Sequence, residues 1–245
     1  MIVWSSACAH TRLMNNETRP YIIAFASPKG GVGKSTTCAC VAGALAAKGF
    51  PVLVLDLDQN RTLEQWFNRF PDLASILTVE GLGEGDFMDR LKHHCDTRRG
   101  FILVDVAGVF QKTTIQAATV ADLTITPAKL SAPDIIEAAK LHRELTHLSN
   151  MIGKPILHRV LLNEVSPLWP TYQRAALEDV KRSGVEPFGM VIHQRAPYAE
   201  VFLTGQPPHF ANLTREPVRK AVAQLDDLTS RILALLNINE QKAAA

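Results

Sequence analysis

Apolar runs of strand length alternate along the chain with stretches whose apolar residues recur every three or four positions. Tyr21–Ser27 (YIIAFAS), Pro51–Leu57 (PVLVLDL), Phe101–Val106 (FILVDV), Asp122–Pro127 (DLTITP), Pro155–Val165 (PILHRVLLNEV) and the short Phe188–Ile192 read as strands. Lys34–Lys48, Thr62–Phe70, Asp86–Cys95, Pro133–Leu148, Tyr172–Ser183 and Pro217–Leu236 read as helices. End signals agree with these bounds. Gly49 and Gly184 follow helices as C-terminal caps, Thr62 stands as an N-cap, and Pro133 falls in a first turn, where its missing N–H is harmless. In the last helix Val218, Val222, Leu225, Leu228, Ile232 and Leu235 step by three or four and so share one face. The strands are continuously apolar rather than alternating, which implies a sheet covered on both faces. Strand–helix–strand alternation implies parallel pairing. The pattern therefore predicts an α/β fold, a doubly wound, mostly parallel sheet with helices on both faces. Residues 21–237 carry it without repeat, linker or break in composition, so one domain is expected there, between tails at 1–20 and 238–245. Met14, just ahead of the first strand, is a second candidate start.

Composition narrows the class. The 245 residues are 47% hydrophobic and 20% charged, too apolar for a disordered chain. Lys plus Arg number 26 against 24 Asp plus Glu, and a net charge of +2 excludes binding to nucleic acid by bulk charge while leaving room for a local basic patch. Cys8, Cys38, Cys40 and Cys95 have neither zinc spacing nor the density of a secreted framework and read as reduced structural thiols. The histidines, His93 and His94 among them, lack metal spacing and read as surface residues. No run approaches the ~20 apolar residues of a membrane span, and residues 1–20 lack the apolar core of a signal peptide. A cytoplasmic protein is expected.

The chemistry-bearing run is Ser27-Pro28-Lys29-Gly30-Gly31-Val32-Gly33-Lys34-Ser35, between a strand and a helix. It fits the phosphate-loop spacing G-x-x-x-x-G-K-[ST] with the first glycine replaced and a second lysine, Lys29, added. Glycines let backbone N–H groups approach phosphate oxygens, and the helix N-terminus adds partial positive charge. Lys34 then reaches the β- and γ-phosphates, and the Ser35 hydroxyl is placed to ligate Mg2+. Asp56 and Asp58 end the second strand, where an open α/β sheet faces its ligand crevice, and residues two apart share a face. They read as positioning a water or holding Mg2+ through water, or else as ordinary loop acids. Asp105 closes FILVD, four apolar residues running into one acid, the arrangement in which that acid supports Mg2+. A buried carboxylate there needs a metal or a hydrogen-bond partner.

KGGVGKST at 29–36 resembles the deviant Walker-A motif of the ParA/MinD family of ATPases, with Lys29 as its signature lysine. LVLDLD at 53–58 is similar to the family's A′ segment and FILVDVAG at 101–108 to its Walker B, and the resemblance spans about residues 21–237. It implies ATP and Mg2+ as cofactors and an ATP-dependent homodimer that sandwiches two nucleotides. Lys29 would reach across to the other subunit's ATP. Gly30, Gly31, Val32, Gly33, Lys34, Ser35 and Thr36 would cradle phosphates, with Ser35, Asp56 and Asp105 on the Mg2+ side. Asp58 would orient the attacking water. Asn163, in VLLNEV, matches a residue that contacts adenine, or caps its strand.

Within that family the tail LLNINEQKAAA is unlike a basic membrane-binding helix, and a single phosphate loop is unlike the doubled arsenite pumps. What remains is similar to the short DNA-segregation type, with Arg195, Glu200 and Gly205 of IHQRAPYAEVFLTGQ in step. That type binds DNA nonspecifically through basic residues of the last third; Arg195, Arg219 and Lys220 are the foremost candidates here, among Arg174, Lys181, Arg182 and Arg215. The expected function is ATP-driven plasmid segregation or positioning on the nucleoid, with a centromere-binding protein as adaptor. One departure opens an alternative. Partition ATPases follow the two aspartates with Pro-Gln-Gly, whereas Gln59-Asn60 here is closer to relatives that assist relaxase-bound DNA in conjugative and T-DNA transfer. A positioner of a protein cargo is the third reading.

Overall fold

The computed structural model describes residues 19–69, 74–107 and 112–238. The expected tails, up to residue 18 with Cys8 and Met14 and from residue 239 onward, lie outside them, as do Phe70 and Gly108. In chain order the elements are β1 (Tyr21–Phe25), α1 (Lys34–Ala47), β2 (Val52–Asp56), α2 (Thr62–Phe67), β3 (Leu77–Gly81), α3 (Phe87–Thr97), β4 (Phe101–Asp105), α4 (Lys112–Val120), β5 (Leu123–Lys129), α5 (Ala132–Ile152), β6 (His158–Val165), α6 (Thr171–Arg182), β7 (Pro187–His193), α7 (Ala196–Thr204), a 3-10 turn at Pro208–Phe210, and α8 (Glu216–Leu235).

The strands form one seven-stranded sheet in the order β3-β2-β4-β1-β5-β6-β7, and every pairing is parallel. The doubly wound fold expected from the apolar pattern is the fold observed. β1, β2 and β4 are buried almost throughout because each has a helix layer on both sides. Ile23, Phe25, Val54 and Leu103 point into one layer with α1 and α8. Ala24, Leu55, Ile102 and Val104 point into the other with Phe87 and Leu91 of α3. Each fully buried Leu, Ile or Phe of this kind contributes about 2–3 kcal/mol. Helix α1 runs through the middle of the first layer and is covered nearly all round, which explains its run of Ala, Cys and Gly: large side chains would hold it off the sheet. The register sets Phe25, Asp56 and Asp105 level at the C-terminal edge of three adjacent strands.

Three elements escape the apolar pattern. β3 lies at the sheet edge with only Leu77 fully buried, so its sequence lacks a strand-length apolar run. α4 is rich in Thr and small residues, and α7 opens on a proline. β5 also runs past Pro127 to Lys129. The proline is tolerated because β1 pairs only as far as Ile125, and beyond it β5 pairs with β6 alone.

Two local expectations are corrected. Thr62 is not the cap of α2: Arg61, at φ 47°, precedes the helix, and the capping oxygen comes from Asp56. His94 is buried at 4% exposure and bonds Glu80 of β3 at 2.7 Å, and His158 is buried between α5 and the sheet, so neither is a surface residue.

Candidate functional site

The β1–α1 loop leaves the centre of the sheet edge and turns sharply into α1. Gly31 and Gly33 have φ of 71° and 89°, the left-handed region open to glycine. At Gly33 a Cβ would lie 2.3 Å from Asn163 Nδ2, so the close approach also demands glycine. Asn163, at the end of β6, donates from Nδ2 to the Val32 carbonyl at 2.9 Å and ties the loop down. Gly30 and Gly31 are exposed and border open space. Lys34, the first residue of α1, folds back so that Nζ donates to the Lys29 carbonyl at 3.1 Å across the mouth of the loop. Burial lowers the Lys34 pKa, while Asp105 and Asp58 pull it back up.

The three acids do different things. Asp105 is 1% exposed, and neither of its carboxylate oxygens has a hydrogen-bond partner among the described residues. Burial pushes its pKa up to about 7; the adjacent Ser35 hydroxyl and the Lys34 ammonium oppose that shift, and Asp56 and Asp58 add to it. An orphaned buried carboxylate beside a hydroxyl is an oxygen donor set that fits Mg2+. Asp56 does not fit. Its Oδ2 accepts the Leu63 and Glu64 N–H groups at 2.8 and 3.2 Å, and its Oδ1 accepts the Asp58 N–H at 3.1 Å. It caps α2 and pins the loop. Asp58 lies beyond the strand, half-buried, with Oδ1 accepting the Asn60 N–H at 2.8 Å and its charge felt by Lys34.

Lys29 points away from the loop it belongs to. Its ammonium pairs with Asp134 Oδ1 at 2.6 Å; the lysine side chain is 42% exposed and the aspartate 4%. Ser131 Oγ donates to the other Asp134 oxygen at 2.6 Å. Asp134 was not among the expected site residues, although Ser131-x-x-Asp134 at the start of α5 is a helix-start signature that could have marked it.

Behind the loop a cleft of ≈ 230 Å³ lies between α1 and the end of β7. Thr36, Thr37 and Cys40 line one side, Asn163 the floor, and His193 to Arg195 with Tyr198 the other side. Cys40 is inert there, its thiol pushed up to about 12 by burial, in keeping with a structural role. Arg195 belongs to this wall: its Nε donates to Gln224 Oε1 at 3.1 Å. Arg219 and Lys220 are exposed on the first turns of α8. Arg219 donates to the Leu213 and Thr214 carbonyls, and Lys220 pairs with Glu216 at 2.6 Å.

Among the described residues no helix is long and apolar enough to cross a membrane. The chain is 30% identical over 185 residues to the protein ParA of Rhizobium radiobacter, covering 75% of this chain and 83% of that one. It is 27% identical over 170 residues to the protein virC1 of Rhizobium rhizogenes, covering 66% and 72%. Its fold is similar to the ATP complex of Cyanothece McdA, at TM-score 0.67 and 15% identity over 91% of this chain and 98% of that one. It is also similar to the septum site-determining protein MinD complexed with Mg-ADP from Pyrococcus horikoshii OT3, at TM-score 0.62 and 19% identity over 89% and 98%. A family model described as the CobQ/CobB/MinD/ParA nucleotide binding domain matches residues 23–208, across the phosphate loop, the three acids and the cleft, and the chain belongs to that family.

Proposed function

We propose that the protein is a Mg2+-dependent ATPase whose ATP-bound form dimerises, binds DNA without sequence preference and drives segregation or positioning of plasmid DNA. The observation that carries this reading is the division of labour between two lysines of one loop. Lys34 closes the loop in cis, while Lys29 stands outside it, half-exposed and paired with Asp134, a pair it would exchange for a nucleotide held by another copy. Two lysines facing one phosphate chain in cis would repel each other; one facing each of two nucleotides would not.

In this reading the backbone from Gly30 to Thr36 binds the phosphates and Lys34 neutralises their β/γ charge. Ser35 and Asp105 would hold Mg2+, which supplies charge neutralisation on the β- and γ-phosphate oxygens when bound. Asp58, half-buried and level with the loop, orients the attacking water. Asn163 keeps the loop in place and faces the cleft, which seats the nucleobase.

Lys34→Ala tests the assignment. With the neutralising charge removed, Mg2+-dependent ATP turnover should fall by at least about 100-fold. Unchanged turnover would refute the phosphate-loop reading. A second reading, an accessory ATPase for relaxase-dependent DNA transfer with a relaxase as adaptor, is favoured by the similarity to virC1 and by Gln59-Asn60 after Asp58. Pull-down with a purified relaxase against a purified centromere-binding protein separates the two.

A further inference from the structure

The far wall of the cleft continues an irregular strand pairing. β6 and β7 pair with register shifts between Val160 and Leu162 and between Leu162 and Val165, and Glu164 sits at φ 52° in the irregular stretch. The pairing resumes at Val165 and His193, where the Gln194 N–H donates to the Val165 carbonyl at 3.0 Å, and a second anchor for residues 191–195 comes from outside the sheet.

That anchor is on α8. Gln224 Oε1 accepts from Arg195 Nε at 3.1 Å, from the Tyr198 hydroxyl at 3.1 Å and, more loosely, from the His193 backbone N–H at 3.4 Å. Its Nε2 donates to the Val191 carbonyl at 3.1 Å. Arginine and backbone N–H groups are donors only, so the amide can face just one way. The Tyr198 hydroxyl also lies 3.2 Å from the Ala221 carbonyl, which joins the start of α7 to the same turn of α8. One side chain thus gathers the end of β7, the first turn of α7 and the Arg195 guanidinium. These are the groups that line the cleft opposite Thr36 and Asn163.

We propose that Gln224 is the positioning residue for the nucleobase side of the site. It touches no nucleotide itself and acts through Arg195 and the 191–198 wall, setting the cleft width on which selection of adenine over guanine depends. This rests on the reading that the cleft seats the base.

The test uses the full chain and competition of ATP, GTP and inorganic tripolyphosphate against a fluorescent ATP analogue. Tripolyphosphate reports the phosphate loop alone. In Gln224→Ala the ATP affinity should fall about tenfold and the ATP-to-GTP ratio should collapse toward unity, with tripolyphosphate within about twofold of wild type. Gln224→Glu keeps the acceptor for Arg195, Tyr198 and His193 but loses the donor to Val191, and its loss of ATP affinity should be smaller than that of Gln224→Ala. Wild-type ATP affinity and selectivity in Gln224→Ala would overturn the proposal, as would an equal loss for tripolyphosphate. Wild-type protein that holds ATP no tighter than tripolyphosphate overturns instead the base-pocket reading beneath it, before any variant is made.

Discussion

At the scale of single residues, the Asp105 carboxylate is costly to bury. It is buried without a hydrogen-bond partner among the described residues, and its pKa is raised to about 7. With the folded value above the unfolded one, the folded state binds more protons between about pH 4 and 7, so this group's contribution to stability falls as pH rises through that window. Above it the nucleotide-free protein carries a buried charge that the Ser35 hydroxyl and the Lys34 ammonium offset only in part. Asp105→Asn should therefore melt at or above the wild-type temperature at pH 8 without nucleotide, and lose the stabilisation that Mg-ATP gives the wild type. A variant that melts lower at pH 8 yet keeps its Mg-ATP shift would show that the carboxylate is structural. His158 has the opposite pH signature. It bonds Thr126 Oγ1 and His142 Nδ1, and burial first, then His142 and Arg159, lowers its pKa to about 3. The unfolded chain takes up this proton near pH 6.5 and the folded one does not, so stability is complete above that value. Below it, stability declines by up to about 1.4 kcal/mol per pH unit. Glu186, Arg159 and Arg143 face the pair, and His142, lowered mainly by burial, adds to the same slope. Denaturant titrations at pH 7.5 and 5.0 should show a shallower loss in His158→Gln; an unchanged loss would assign it elsewhere.

At the scale of elements, the loop before α1 and the start of α5 form one unit. Lys29 spans them by its pair with Asp134, and nothing else in the loop uses its ammonium. Lys29→Gln removes that charge but leaves Lys34, Ser35 and the loop glycines in place. Nucleotide affinity should stay within about threefold, while the ATP-dependent dimer on a sizing column disappears. Equal loss of both would place Lys29 in cis. The sequence shows the loop clearly, because glycine spacing, a lysine and a strand–helix junction are local signals. It does not show Asp134 as the partner of Lys29, because that contact joins segments a hundred residues apart through the crossover of a parallel sheet. The same distinction runs through the fold. β1, β2 and β4 are legible because burial on both faces makes them uniformly apolar. β3 is not, because an edge strand exposes one side and its order in the sheet is set by pairing rather than by pattern. Asp56 and Asp58 look equivalent in LVLDLD, and only the position of α2 gives the first a backbone-capping role and leaves the second facing the loop.

At the scale of the whole molecule, charge decides what the proposed switch must do. A net charge of +2 gives one copy little bulk attraction to duplex DNA, so binding has to come from local basic patches. The exposed candidates are also already engaged: Lys220 with Glu216, Arg215 with Glu200, and Arg219 with two carbonyls. Exposed pairs of this kind are weak and screened, so phosphates can replace them, but only where several do so together. Bringing two copies together doubles the number of phosphates neutralised, and log K falls with log salt in proportion to that number. Affinity for duplex DNA of any sequence should therefore appear with ATP and not with ADP, with a salt slope near twice whatever residual slope the monomer shows. Reversing Arg219 and Lys220 to Glu should abolish this binding and leave the ATP-dependent dimer intact, since neither residue touches the phosphate loop, Lys29 or the cleft. Arg195 should behave differently despite its charge. Held by Gln224 in the cleft wall, its replacement should lower nucleotide affinity before it alters DNA affinity of the ATP-loaded form. A salt titration of DNA binding in each nucleotide decides the matter. Equal affinity and slope with ATP and ADP would refute the switch, and absence of binding in both at low salt would transfer the reading to a protein cargo moved without a DNA track.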